Sequence, residues 1–294
     1  MKWEGNRESD NVEDRRDGGG GGGGLGGIGG RSVGIGTVVI ALVASYFFGV
    51  SPGTVINVIN GGGGAAAPEA TQGPAKAPPA DDREARFVST VLADTEDTWT
   101  AIFQKAGQTY SKPRLVLFSG RTQTACGTGQ TASGPFYCPG DRKIYIDLSF
   151  YRLMQERFKV SGEFAQAYVI AHEVGHHVQN LMGIMDKVDQ MRRNSTPTQA
   201  NALSVRVELQ ADCFAGVWAK NADKARSILE SGDVETALNA ATAIGDDALQ
   251  KQAQGYVVPD SFTHGTSAQR VRWFKRGLEG GQVSACNTFD ARSL

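Results

Sequence analysis

The spacing of hydrophobic residues changes period along the chain. Phe87, Val91, Leu92 and Trp99 recur at helical spacing beyond Asp81 and predict an amphipathic helix. RLVLFSG (Arg114–Gly120) predicts a strand. In Lys143–Phe150, Ile144, Ile146 and Leu148 alternate with Tyr145, Asp147 and Ser149, the period of a half-buried sheet edge. The segment between these strands is rich in turn residues. From Gly162 onward the pattern is helical. One helix carries AYVIAHEVGHHVQNLMG (Ala167–Gly183), with Ser161 as its cap and Glu163 in its first turn. A second is capped by Thr196, has Pro197 at its first position and runs to about Lys220. Further helices are expected at about Ala222–Ser231, Asp233–Gln254 and Ser267–Glu279. The predicted class is α+β, a small sheet followed by helices.

The N-terminal part follows a different pattern. Residues 1–31 are polar and contain the unbroken run Gly18–Gly24, which predicts an unfolded tail. Ser32–Val50, SVGIGTVVIALVASYFFGV, has no charged residue and approaches the roughly 20 apolar residues that span a bilayer. Its flanks are glycine-rich linkers, which argues against a buried core helix. The small-residue run Ala65–Ala67 is followed by Pro68, which argues against a cleaved signal peptide. The expectation is therefore a signal anchor at 32–50, a linker at 51–80 and a folded domain at 81–294. Lys2, Arg7, Arg15, Arg16 and Arg31 precede the span, and only Lys76 follows within comparable range. That bias predicts a single-pass protein of a bacterial inner membrane, with a cytoplasmic N-terminus and a periplasmic or otherwise extracytoplasmic domain.

The chain has 294 residues, a net charge of -1 and 40% hydrophobic residues, which suits one or two globular domains. Near-neutral charge argues against a nucleic-acid partner. Cys126, Cys138, Cys213 and Cys286 form no CxxC pair, so a cysteine-only zinc site is not expected. An oxidising compartment would favour disulfides instead.

The chemistry concentrates in the helix at Ala167–Gly183, which holds three of the chain's four histidines. His172 and His176 of HEVGH stand at i and i+4 on one helix face, so both imidazoles can reach one zinc ion. Glu173 is rotated about 100° from His172, beside the open coordination position, where it can accept a proton from the attacking water. A third ligand is required. The continuation with glycine and histidine at fixed spacing is absent, because Gln179 and Met182 occupy those places. Downstream, RVELQADCFAG presents Glu208 and Asp212 on one face of an otherwise apolar helix. A buried carboxylate pair is costly without partners. Glu208 as third ligand, and Asp212 as acceptor for a ligand histidine's free N–H, would account for both. His177 points away from that face and is expected to make a structural hydrogen bond.

HEVGH paired with ELQAD resembles the gluzincin metallopeptidases. GPFYCPGDRKIYIDLSF, AHEVGHHVQNLMG, RVELQADCFAGVWA and SFTHGTSAQRVRWF, with the N-terminal MKWEGNRESDNVEDRRDGGG and the apolar stretch, resemble the bacterial "putative neutral zinc metallopeptidase" family over nearly the whole chain. The resemblance implies a zincin-like domain, one zinc ion per chain and hydrolysis of a peptide or protein substrate. It also implies that His264, at the start of a late helix, faces the cleft, where it could bind the developing oxyanion or block the zinc in a latent state. Arg270 is a candidate partner for the buried carboxylates. The strand Arg142–Phe150 has two readings: an edge that pairs with extended substrate, Tyr145 and Asp147 lining the cleft, or a half-exposed sheet edge. The Cys126–Cys138 loop before it would be stapled by a disulfide. Cys213 and Cys286 are left either as a second bridge or with Cys213 as a buried thiol. The rival to an enzyme is a non-catalytic or latent zinc-binding envelope adaptor on the same fold.

Overall fold

The computed structural model describes residues 1–16, 76–131 and 134–294. A four-stranded sheet is built from β1 (Val12–Asp14), β2 (Arg114–Phe118), β5 (Phe136–Cys138) and β6 (Lys143–Asp147), in the order β1-β2-β6-β5. The first two pairings are parallel, and β5 runs antiparallel to β6. The hairpin β3 (Arg121–Thr124) and β4 (Gly127–Gln130) stands apart from it. The helices are α1 (Arg83–Lys105), α2 (Ser149–Phe158), α3 (Glu163–Leu181), α4 (Ile184–Arg193), α5 (Pro197–Arg226), α6 (Asp233–Ala243), α7 (Asp246–Gln254) and α8 (Ser267–Gly280). The α+β class expected from the sequence is the class observed.

Helix α3 is central. It packs against α1, α5, α6 and the β5 side of the sheet, and Phe164, Tyr168, Ile170, Ala171, Val174 and Val178 are fully enclosed. α5 begins as the sequence predicts, with Thr196 and Gln199 forming a capping box and Pro197 in the first turn. It then continues to Arg226, so no separate helix starts at Ala222. The expected Asp233–Gln254 helix is two helices broken at Gly245, where a Cβ would lie 2.5 Å from the Ser267 backbone nitrogen. α3 is capped by Gly162 rather than Ser161.

The strand expected at Lys143–Phe150 ends at Asp147, and Ser149 opens α2. β6 is also an inner strand, between β2 and β5, so neither edge reading of it holds. Tyr145 and Asp147 are polar in type but buried. The Tyr145 hydroxyl donates to Asp141 at 2.7 Å, and Asp147 accepts from the Gly120 and Ser149 backbone N–H groups. Side chains whose polar atoms are satisfied inside imitate the alternation of an exposed edge.

The largest correction concerns the N-terminus. Residues 1–16 are part of the folded domain, not an unfolded tail. Trp3 is buried edge-on against Phe87, 5.4 Å between ring centroids. Ser9 and Asn11 donate to the buried Glu96 at 2.6 and 2.7 Å. Glu13 pairs with Arg15, Arg114 and Lys143. β1 joins the sheet beside β2, Val12 opposite Leu115. A few apolar anchors and specifically paired charges fold a segment whose average composition reads as disordered. Residues 1–16 and β2 thus share one sheet, whereas the sequence reading sets the tail and the domain on opposite faces of a membrane. The rest of the expected tail, the expected span at 32–50 and the linker up to residue 75 lie outside the described residues. Among the described residues no helix is long and apolar enough to cross a membrane.

Candidate metal centre

The HEVGH stretch of α3 crosses the ELQAD stretch of α5. Gly175 sits at the crossing: a Cβ there would lie 3.0 Å from the Ala211 carbonyl oxygen and 3.1 Å from its Cα. A side chain there would press α3 away from α5. α8 closes on the other side of α5, where a Cβ at Gly277 would fall 1.9 Å from the Cys213 carbonyl oxygen.

This packing brings His172, His176 and Glu208 together, with one ligand atom from each within 4.8 Å of the others. His172 Nε2 lies 3.1 Å from Glu208 Oε2, and His176 Nε2 lies 3.5 Å from Glu208 Oε1. Both ring nitrogens thus face the two oxygens of one carboxylate. The three side chains keep slight exposure, 8%, 12% and 18% in that order, so the cluster is not sealed from solvent.

Asp212, one turn after Glu208, is fully buried. Its Oδ1 is 2.8 Å from His172 Nδ1 and accepts from the Tyr168 hydroxyl at 2.6 Å. Arg270 of α8 donates to Asp212 through Nε at 2.9 Å and Nη2 at 3.0 Å, and to the Ile244 carbonyl at 3.2 Å. The fork of one guanidinium thus neutralises and orients the carboxylate behind His172. His177 is on another face, between the Ser111 carbonyl at 2.6 Å and the Tyr137 hydroxyl at 3.1 Å. Burial lowers it to about 4, so it stays neutral.

The electrostatics suit a cation. Burial opposes charge on His172, but Asp212 and then Glu208 outweigh it and raise the imidazole to about 10. Burial likewise opposes charge on His176, and Glu208 outweighs it. Glu208 is held well below the ordinary carboxylate range, despite burial, by His176 and His172. Glu173 is raised, chiefly by burial, and the two histidines oppose that rise. A dication held by neutral imidazoles would take the place of the protons that the raised histidines otherwise carry beside Glu208 and Asp212. Two imidazole nitrogens and a carboxylate oxygen are also a donor set that zinc takes.

His264 is half-exposed and close enough to Glu208 to help lower that carboxylate. Its position depends on Asp246, a residue that the sequence reading missed. Asp246 is fully buried at the start of α7, and its Oδ2 accepts from the backbone N–H groups of Thr263, His264 and Gly265 at 2.8, 2.6 and 2.9 Å. Its Oδ1 lies 3.3 Å from His264 Nδ1. No spacing in the sequence announces this contact, because the partners lie on different elements. Tyr168 was missed too, although it stands one turn before His172 and so shares its face. All four cysteines are bridged, Cys126 to Cys138 and Cys213 to Cys286.

Residues 1–289 match the model of the family described as "putative neutral zinc metallopeptidase". The chain belongs to this family. Its relative in Escherichia coli strain K12, uncharacterized protein YpfJ, is 52% identical over 292 residues, covering 98% of this chain and 99% of its own. In Mycobacterium tuberculosis strain H37Rv, uncharacterized protein Rv2575 is 39% identical over 219 residues, 71% of this chain and 73% of its own. No solved structure matches the chain. Family membership carries the zinc metallopeptidase description, and the His172, His176 and Glu208 group is one that could hold the metal.

Proposed function

We propose that this family member is a zinc-dependent peptidase with a zincin-like, gluzincin-type domain, in which His172, His176 and Glu208 hold one zinc ion. The supporting observation is the convergence of two imidazole Nε2 atoms on both oxygens of Glu208, with all three side chains slightly exposed. When bound, zinc supplies Lewis acidity for a peptide carbonyl and acidifies water. Glu173 is the general base: its carboxylate takes a proton from the attacking water and returns it to the leaving amine. Burial raises its proton affinity toward what such a shuttle needs. His264, tethered by Asp246, donates to the carbonyl oxygen that gains charge during attack. Asp212, Tyr168 and Arg270 keep His172 oriented.

The reading places the domain in an oxidising, extracytoplasmic compartment, a placement that the two disulfides support. Contact with a bilayer through Ser32–Val50 belongs to the same proposal, with residues 1–16 and 76–294 on one face of it. The test is zinc analysis of the purified full chain with a peptide-library cleavage assay, with and without a chelator. One zinc per chain and chelator-sensitive cleavage are expected. A zinc-loaded protein that cleaves no peptide would overturn the hydrolase reading in favour of the adaptor.

A further inference from the structure

A run of buried amides leads away from His176 on the side opposite the metal cluster. His176 Nδ1 lies 2.9 Å from Gln179 Oε1. Gln179 Nε2 donates to the Val207 carbonyl at 2.8 Å and to Gln210 Oε1 at 3.0 Å. Gln210 Nε2 donates in turn to the Cys286 carbonyl at 3.0 Å. Gln179 is fully buried and Gln210 is 5% exposed, so each amide needs partners for its polar atoms.

We propose that Gln179 is a positioning residue for the metal ligand His176, and that Gln210 and the Cys286 carbonyl hold Gln179 in the orientation that serves it. An amide can present either its oxygen or its nitrogen to a ring, and the choice decides which ring nitrogen carries the proton. Here the far ends decide. Main-chain carbonyls only accept, so Val207 draws an N–H of Gln179 and Cys286 draws an N–H of Gln210. Gln210 then offers its oxygen to the second N–H of Gln179. Both donors of Gln179 are committed, and its oxygen is left for His176. The proton of a neutral His176 therefore sits on Nδ1, and Nε2 keeps its lone pair toward Glu208.

The two ligand histidines reach the same tautomer by different means. His172 is set by a charged acceptor, Asp212, and His176 by a neutral amide. The distant end is anchored covalently. Cys286 closes the short turn Val283–Cys286 and is bridged to Cys213, which follows Asp212 on α5. One disulfide thus joins the terminal acceptor of the His176 chain to the helix carrying the acceptor for His172.

The inference rests on the metal reading and deepens it, and the test separates the two. Zinc affinity is measured on the full chain by competition with a chromophoric chelator, for wild type, Gln179→Met, Gln210→Met and the double variant. Gln179→Met is expected to weaken zinc binding roughly 10–100-fold, and Gln210→Met to weaken it less. The double variant is expected to bind no more weakly than Gln179→Met, because the two amides act in series. The zinc-loaded wild type should show a slowly exchanging His176 Nδ1–H in a 1H–15N spectrum, lost in Gln179→Met. A residue that only supports packing would leave that signal in place. If Gln179→Met does not fold, Gln210→Met carries the same two readouts. Unchanged zinc affinity in Gln179→Met, additive losses in the double variant or a retained Nδ1–H signal overturns the inference while the metal site stands. A wild type that binds no zinc overturns both.

Discussion

Asp212 receives two N–H groups from Arg270, at 2.9 and 3.0 Å, in a place where neither side chain meets solvent. Removing Arg270 leaves the buried Asp212 carboxylate without its guanidinium, with only His172 and the Tyr168 hydroxyl beside it. Arg270→Met should therefore destabilise the protein by about 3–5 kcal/mol, read as a lower denaturant midpoint of the metal-free chain. Adding Asp212→Asn should recover part of the loss, since the stranded charge is then gone. A single Arg270→Met variant as stable as wild type would show that the pair does not hold α8 to α5.

Glu173 contributes no atom to the His172, His176 and Glu208 group. Glu173→Gln keeps the volume and removes the base. Zinc should remain stoichiometric while peptide cleavage falls by about 10²–10⁴-fold. Metal analysis and steady-state kinetics on one preparation check both halves. Loss of zinc would move Glu173 into the metal site.

His264 and Asp246 separate positioning from contact. His264→Ala should lower kcat, with folding stability little changed, because the side chain is half-exposed. Asp246→Ala should reduce stability as well, because it strands the backbone N–H groups of Thr263, His264 and Gly265. Equal kcat in His264→Ala and wild type would remove the histidine from the reaction.

The grouping of His172, His176 and Glu208 was legible because its parts repeat at helical spacing. His172 with His176, and Glu208 with Asp212, each occupy i and i+4, and the apolar residues around the carboxylates marked them as buried. Asp246 was harder to read, because its partners arrive from another element and sequence spacing carries no trace of them. Gln179 stands three residues after His176 on the same helix, so spacing alone left it either beside the ligand or facing solvent; the carbonyls that orient it come from Val207 and Cys286. The sheet was misread for a related reason. Tyr145 and Asp147 look like outward residues until Asp141, Gly120 and Ser149 are seen to satisfy them. The pairing of β1 with β2 joins segments far apart in the chain, and local composition cannot report it.

That N-terminal docking is acid-sensitive, with a definite sign. Burial opposes charge on Glu13, but Arg114, Lys143 and Arg15 outweigh it and hold the carboxyl at about 2. Glu96 is also lowered against burial, by Ser9, Asn11 and Arg7. Both carboxylates bind fewer protons when the segment is docked. Their contribution is fully present above the ordinary carboxylate range and is lost as pH falls from about 4.5 toward about 2. Hydrogen exchange in residues 1–16 should therefore rise across that window before exchange in α3 does. Glu13→Gln should flatten the dependence. Protection of residues 1–16 that is independent of pH would remove these ion pairs from the docking.

The ends of the undescribed segment meet. Asp14 N–H donates to the Lys76 carbonyl at 2.7 Å, and Lys76 N–H donates to the Asp14 carbonyl at 3.3 Å. The chain thus leaves the sheet and returns to it at one place, and β1 continues in register along β2. In the proposed contact of Ser32–Val50 with a bilayer, Asp14 and Lys76 lie on the same face of it. Because the native cysteines are bridged, single cysteines at two exposed positions, Asn6→Cys and Arg292→Cys, can report sidedness through a membrane-impermeant maleimide. Both should label together, and from the oxidising side. An anchor that crosses once would expose one and protect the other. That outcome would mean that β1 is not paired with β2 of its own chain in the membrane.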